Sequence, residues 1–138
     1  MSELTFQLAQ SLVEQAMRSA ADKFKRPICV AVVDHAGFLL AFARQDGAPL
    51  RSIQICQGKA YTAARMGVTT HAFFERLQRE EIQARDFCDE RLTALAGGSP
   101  LKNAEGKVLG AAGISGLTSA EDQEIANLLA ETVAKAKG

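Results

Sequence analysis

Two histidines and three cysteines are the side chains of this 138-residue sequence with the widest chemical reach, and their spacing narrows what they can do. His35 lies in Asp34-His35-Ala36-Gly37, a run of turn-forming residues, where an imidazole could serve as a metal ligand. His71 follows Thr69-Thr70 and precedes Phe73-Phe74 at the start of a helix, which makes it a candidate for facing a ligand pocket. For both, an exposed polar residue without a task is the plain alternative. Cys29, Cys56 and Cys88 are widely spaced with no Cys-x-x-Cys pair, which argues against a disulfide framework and against structural zinc. Reduced thiols fit better, with Cys29 as a small core residue. Spacing alone establishes no Ser-His-Asp or Cys-His arrangement, because such triads are defined by geometry. Asp86, Asp89 and Glu90 sit between Arg85 and Arg91 and read as a solvated charge run. Lys59 and Arg65 flank Thr62 six residues apart, on different faces of a helix, leaving one to meet a ligand carboxylate and the other water.

The stretch that must position these groups is Lys107 to Asp122. Val108, Leu109, Ala111, Ala112 and Ile114 form an apolar run without polar alternation, as in a strand buried on both faces. Gly110, Gly113 and Gly116 would weaken a helix, whereas in a strand they allow bends or the close approach of another backbone or a ligand. Thr118 then caps a helix, with Glu121 completing a capping box and Asp122 adding negative charge at the positive end. A glycine-rich strand entering a helix could hold phosphate. However, the spacing matches neither the dinucleotide fingerprint nor the P-loop, and Glu121 and Asp122 would repel an anion.

Before that stretch, Leu8, Leu12, Val13, Ala16, Met17 and Ala20 predict an amphipathic helix from Thr5 to about Lys23–Lys25, stopped by Pro27. Residues 28–33 and 38–43 predict an antiparallel hairpin, and residues 44–49 a loop. Ser52 is the expected cap of a second helix that ends at Gly67, its alanine-rich face (Ile53, Cys56, Ala60, Ala63, Ala64) lying flat on the sheet. A third helix should open at Thr69 or Thr70 with a body from Phe73 to Phe87, touching the core through Phe73, Phe74, Leu77 and Ile82. Residues 91–96 read as a weak strand, Gly97 to Pro100 as a loop before a short segment at Leu101, and Asn103 to Gly106 as the turn of a second hairpin. Ile125, Ala126, Leu128, Leu129, Thr132 and Val133 mark the terminal helix, with Lys135 and Lys137 at its negative end. The fold class is therefore α+β: a mainly antiparallel sheet of four to five strands flanked by about four helices, in one domain over residues 1–138.

Sixteen basic residues balance sixteen acidic ones, which removes the basic surplus that drives nucleic-acid binding. There is no export-type leader and no apolar run of membrane-spanning length, so a cytoplasmic location is the expectation. Apolar stripes on four helices exceed what so small a sheet can cover, which predicts an obligate oligomer.

Four segments in order carry a family resemblance: Val32-Val33-Asp34 with Gly37; Arg44-x-Asp46-Gly47-Ala48; Lys59-Ala60-Tyr61-Thr62-Ala63; and Gly97-Gly98-x-Pro100 followed by Gly110-x-x-Gly113-Ile114-Ser115-Gly116 and Asp122. Together they resemble the GlcG/HbpS-like family, also called the haem-degrading domain family, and the C-terminal domain of PduO-type corrinoid adenosyltransferases. The resemblance implies a profilin-like α+β sandwich and a homo-oligomer that binds a small molecule, with haem or another tetrapyrrole as the expected cofactor. The resemblance leaves the site itself open, and the expectation from the residues is a pocket between the second helix and the sheet, lined by Lys59, Tyr61 and Thr62 and closed by the Gly97 to Pro100 loop, with Gly98 and Pro100 in the binding set. His71 joins the cofactor-binding set and His35 is the candidate iron ligand. Two alternatives stay open: an accessory protein or enzyme of glycolate, diol, glycerol or corrinoid metabolism, and a ligand-free assembly module.

Overall fold

The computed structural model describes residues 2–136, so the terminal expectation that includes Lys137 lies outside the described residues. The elements are α1 (Phe6–Lys23), β1 (Cys29–Asp34), β2 (Leu39–Arg44), α2 (Ser52–Met66), α3 (Thr70–Glu80), a 3-10 turn (Ala84–Phe87), β3 (Gly98–Lys102), β4 (Val108–Ser115) and α4 (Ser119–Lys135). All three strand pairings are antiparallel, in the order β2-β1-β4-β3. Helices α1 and α4 cover one face of the sheet and α2 the other, with α3 beyond α2.

The two central strands explain the missing polar alternation. Val30, Val32, Ala112 and Ile114 point into the core shared with α1 and α4, while Cys29, Ala31, Val33 and Ala111 point into the core beneath α2. Both faces are dry, so both sets are apolar. Each hairpin is tied by a turn carboxylate or amide: Asp34 Oδ1 accepts from the Ala36 and Phe38 amides, and Asn103 Oδ1 from those of Glu105 and Lys107.

Glycine sets the distance between α2 and the sheet. Gly98 and Gly113 are partners across β3 and β4. A Cβ on Gly113 would run into the carbonyl oxygen of Cys56 and lie 2.6 Å from the Ala60 nitrogen, and one on Gly98 would meet the Lys59 carbonyl and the Thr70 methyl. The α2 backbone therefore rests directly on these two residues.

Helix ends follow local chemistry, with corrections. Thr5, Thr69 and Thr118 cap α1, α3 and α4 through their side chains, and the Thr118–Glu121 capping box is formed. Ser52 does not cap α2. Arg51 holds that position without a side-chain bond, and Ser52 lies one residue inside, accepting a hydrogen bond from the Ser115 hydroxyl at 3.1 Å. Helix α3 stops at Glu80 rather than Phe87, because Glu81 turns left-handed and a separate 3-10 turn follows. Residues 91–96 form no strand. Their backbone is held by side chains instead, the Thr93 amide donating to Thr62 Oγ1, so the edge strand begins at Gly98 within the segment expected to be a loop.

Candidate functional site

Lys59 and Asp122 occupy the junction of α2, β3, β4 and α4, both almost completely buried. The ammonium of Lys59 donates to Asp122 Oδ2 at 3.0 Å and to the Ile114 carbonyl at 2.8 Å, while Asp122 Oδ1 accepts from the Leu117 amide. Burial pulls the Lys59 ammonium down and pushes the Asp122 carboxyl up, and the attraction between the two charges opposes both shifts. Gln123 continues the network. Its Oε1 accepts from the Gly97 amide, and its Nε2 donates to the Gly98 carbonyl, to Ser99 and to Asn127, while Thr70 Oγ1 receives the Gly98 amide. The Gly97 and Gly98 amides and the Gly98 carbonyl at the start of β3 are thus met by side chains of α3 and α4, while the Gly97 carbonyl accepts from the Ile114 amide.

Tyr61, also on α2, faces the opposite way. Its hydroxyl donates to Asp89 Oδ2 at 2.5 Å, and the guanidinium groups of Arg91 and Arg65 lie 3.8 and 4.9 Å from its ring centre. The hydrogen bond to Asp89 is the main reason that the Tyr61 phenol is raised and the Asp89 carboxyl lowered from their usual values. Asp89 and Arg91, expected to be part of a solvated run, instead fix residues 88–93 against α2. Burial raises the thiols of Cys29 and Cys56, as suits core residues rather than nucleophiles.

The histidines stand in separate clefts. His35 lines one of about 450 Å³ with Leu4, Leu40, Val108, Leu109 and Lys107, and with the carboxylates Glu3 and Asp34, at the first hairpin and the start of β4. His71 lines another, of about 610 Å³, along the outer face of α4 with Ala96, Gln123, Leu128 and Glu131, and its Nε2 lies 3.7 Å from Glu75. A third cleft, also about 610 Å³, has Lys25, Arg26, Arg44 and Asp46 at the end of α1. Lys59, Thr62, Gly98 and Pro100 are buried in the packing of α2 on the sheet, Tyr61 sits against its two arginines, and the seven expected site residues do not share one cleft. Among the described residues no three of His, Cys, Asp and Glu converge to hold a metal ion, and no helix is long and apolar enough to cross a membrane.

The partners missed by the sequence reading carried a signal. Asp122 falls on the stripe Ile125, Ala126, Leu129 and Val133 of α4, and Lys59 on the stripe Cys56, Ala60 and Ala63 of α2. One opposite charge on each of two buried stripes is the pattern of an internal ion pair.

The family model for haem degrading protein HbpS-like matches residues 4–131. The chain belongs to the HbpS-like family. An uncharacterised 15.0 kDa protein from the dhaT-dhaS intergenic region of Citrobacter freundii is 33% identical over 125 residues, 90% of this chain and 85% of that one. Among solved structures, a double mutant of HbpS from Streptomyces reticuli is 29% identical with a TM-score of 0.84, covering 97% of this chain and 89% of that one. A complex of PduOC with haem is 25% identical with a TM-score of 0.82, covering 98% and 97%. The four-stranded antiparallel sheet and its four helices are thus the HbpS-like fold, as the motif order implied.

Proposed function

We propose that this HbpS-like protein binds haem or a related tetrapyrrole and acts as a homo-oligomer. The observation that carries the reading is the likeness, over nearly the whole chain, to a PduOC structure solved as a haem complex. The donor set at His35 fits such a ligand. A neutral imidazole is a ready iron ligand, Leu4, Leu40, Val108 and Leu109 offer an apolar surface for the macrocycle, and Lys107 can meet a carboxylate side chain. The cleft volume of about 450 Å³ lies within the range of small-molecule sites. The His71 cleft is larger and, like the His35 cleft with its Glu3 and Asp34, carries two lining carboxylates, Glu124 and Glu131, but no lysine or arginine lines it to offset them and meet an anionic substituent. When bound, the tetrapyrrole would supply the iron chemistry, and His35, Lys107 and the four apolar residues would hold and orient it.

A haemin titration followed in the Soret region tests this. The wild type should give a shift that saturates near one equivalent per chain, with His35→Ala at least about 10-fold weaker and His71→Ala unchanged, a tenfold loss being about 1.4 kcal/mol. Weakening confined to His71→Ala would move the ligand to the α4 cleft. A shift that never saturates would sink the tetrapyrrole reading.

A further inference from the structure

We propose that the α2-side face of β2 is the surface on which a second copy of this chain docks, which rests on the homo-oligomeric part of the proposed function and gives it a location. In the β1–β2 register Leu39 lies opposite Val33 and Phe42 opposite Ala31. Val33 and Ala31 point into the core beneath α2, so Leu39 and Phe42 share that side of the sheet. Helix α2, however, packs on β4, β1 and β3, and the same side of β2 is left open. Leu39 is 50% exposed and Phe42 36%, and Leu50, ending the loop from β2 to α2, is 70% exposed, whereas Phe38, whose carbonyl accepts from the Asp34 amide, alternates to the other side of the sheet. Scattered apolar residues on a surface need no explanation, but three large ones on a single strand and the loop that leaves it do.

The area suits a two-fold partner. Taking roughly 200 Å² for an aromatic side chain and somewhat less for leucine, the three expose about 250 Å² per copy, or about 500 Å² across a two-fold contact. A standard interface buries about 1,600 Å² in all, a little over half of it apolar, so these residues alone supply about half of the apolar share. The strand also ends the sheet. It carries no proline, and no charge before Arg44, so its one guard is the register shift beside Leu40. A two-fold axis lets one such edge satisfy its own copy, and a net charge of zero leaves two copies without mutual repulsion.

Sedimentation velocity at micromolar concentration should give the wild type a multiple of the single-chain mass. Phe42→Asp, and separately the pair Leu39→Ser with Leu50→Ser, should weaken association about 30-fold or more, the loss typical of an interface hot spot. Phe74→Asp, on the outer surface of α3, should leave it unchanged. Far-ultraviolet melting confirms folding, and the serine pair, at positions at least half exposed, guards against a Phe42 variant that does not fold. A single-chain mass for the wild type, folded variants that associate like it, or dissociation by Phe74→Asp alone would each overturn the proposal. Haemin titration of the same samples keeps the two readings apart. Unsaturable haemin with dissociation by Phe42→Asp removes the ligand and leaves the surface standing, and saturable haemin with no dissociation does the reverse.

Discussion

Replacing Gly113 by alanine should lower the melting temperature by roughly 10 °C. The added methyl would collide with the Cys56 carbonyl oxygen and sit 2.6 Å from the Ala60 nitrogen, about 1 Å inside an ordinary contact. Both obstacles are backbone atoms of α2, so no rotamer change relieves the clash and the helix itself must lift. It cannot lift freely, because Lys59 is bonded to Asp122 and to Ile114 and the Lys59 carbonyl already rests on Gly98. Overpacking of this kind costs about 1–3 kcal/mol, and the rigidity on both sides puts Gly113→Ala at the upper end. With an unfolding entropy of about 2 cal/mol/K per residue, this 138-residue chain loses about 3 °C for each kcal/mol. The control is Gly58→Ala, in the interior of the same helix. There the new methyl would meet only the Arg91 carbonyl at 3.7 Å and the Thr93 methyl at 3.8 Å, so helix propensity alone should raise the midpoint by about 3 °C, corresponding to about 1 kcal/mol. Circular-dichroism melts of both variants read the two signs. A Gly113→Ala midpoint within about 2 °C of wild type would refute the seating of α2 on β4. If that variant also lost haemin binding, β4 would be lining the ligand pocket instead.

Tyr61 is the only tyrosine and there is no tryptophan, so near-ultraviolet absorbance reports its ionisation alone. In the native protein it should titrate above the ordinary 10.0, and Asp89→Asn should bring it down, since the bond to Asp89 is the main cause of the rise. Because the folded phenol is raised, its contribution to stability is present below pH 10 and is lost as the pH climbs through the folded value. Because the Asp89 carboxyl is lowered from 3.8, its contribution is present above that pH and is lost on acidification below it. Tyr61→Phe should flatten urea stability in both windows, and an unchanged pH profile would show that the pair is idle. Lys59→Met should cost about 3–5 kcal/mol in urea unfolding by stranding a buried carboxylate, with much of that recovered on adding Asp122→Leu. A single-variant cost below about 1 kcal/mol would mean that water reaches Asp122.

What was legible in the sequence is what neighbours decide. Thr118 and Glu121 are three residues apart and find each other without help from the rest of the chain, and the dry strands β1 and β4 announce themselves by composition. The segment 91–96 failed for the opposite reason: its backbone partner is Thr62, thirty-one residues before Thr93, and no local pattern records that bond. Lys59 shows how the two cases meet. A lysine on an alanine-rich stripe is consistent with a ligand-facing cation or with half of an internal pair, and α2 alone does not choose between them. The choice is made sixty-three residues away, where Asp122 occupies the inward position at the first turn of α4. Once that carboxylate takes the ammonium, a cation for an anionic ligand has to come from outside the α2–sheet packing. Lys107 at the start of β4 meets that condition, as do Lys25, Arg26 and Arg44 at the end of α1, and of these only Lys107 shares a cleft with a histidine, which is why the proposed tetrapyrrole site is drawn at the first hairpin rather than beneath α2.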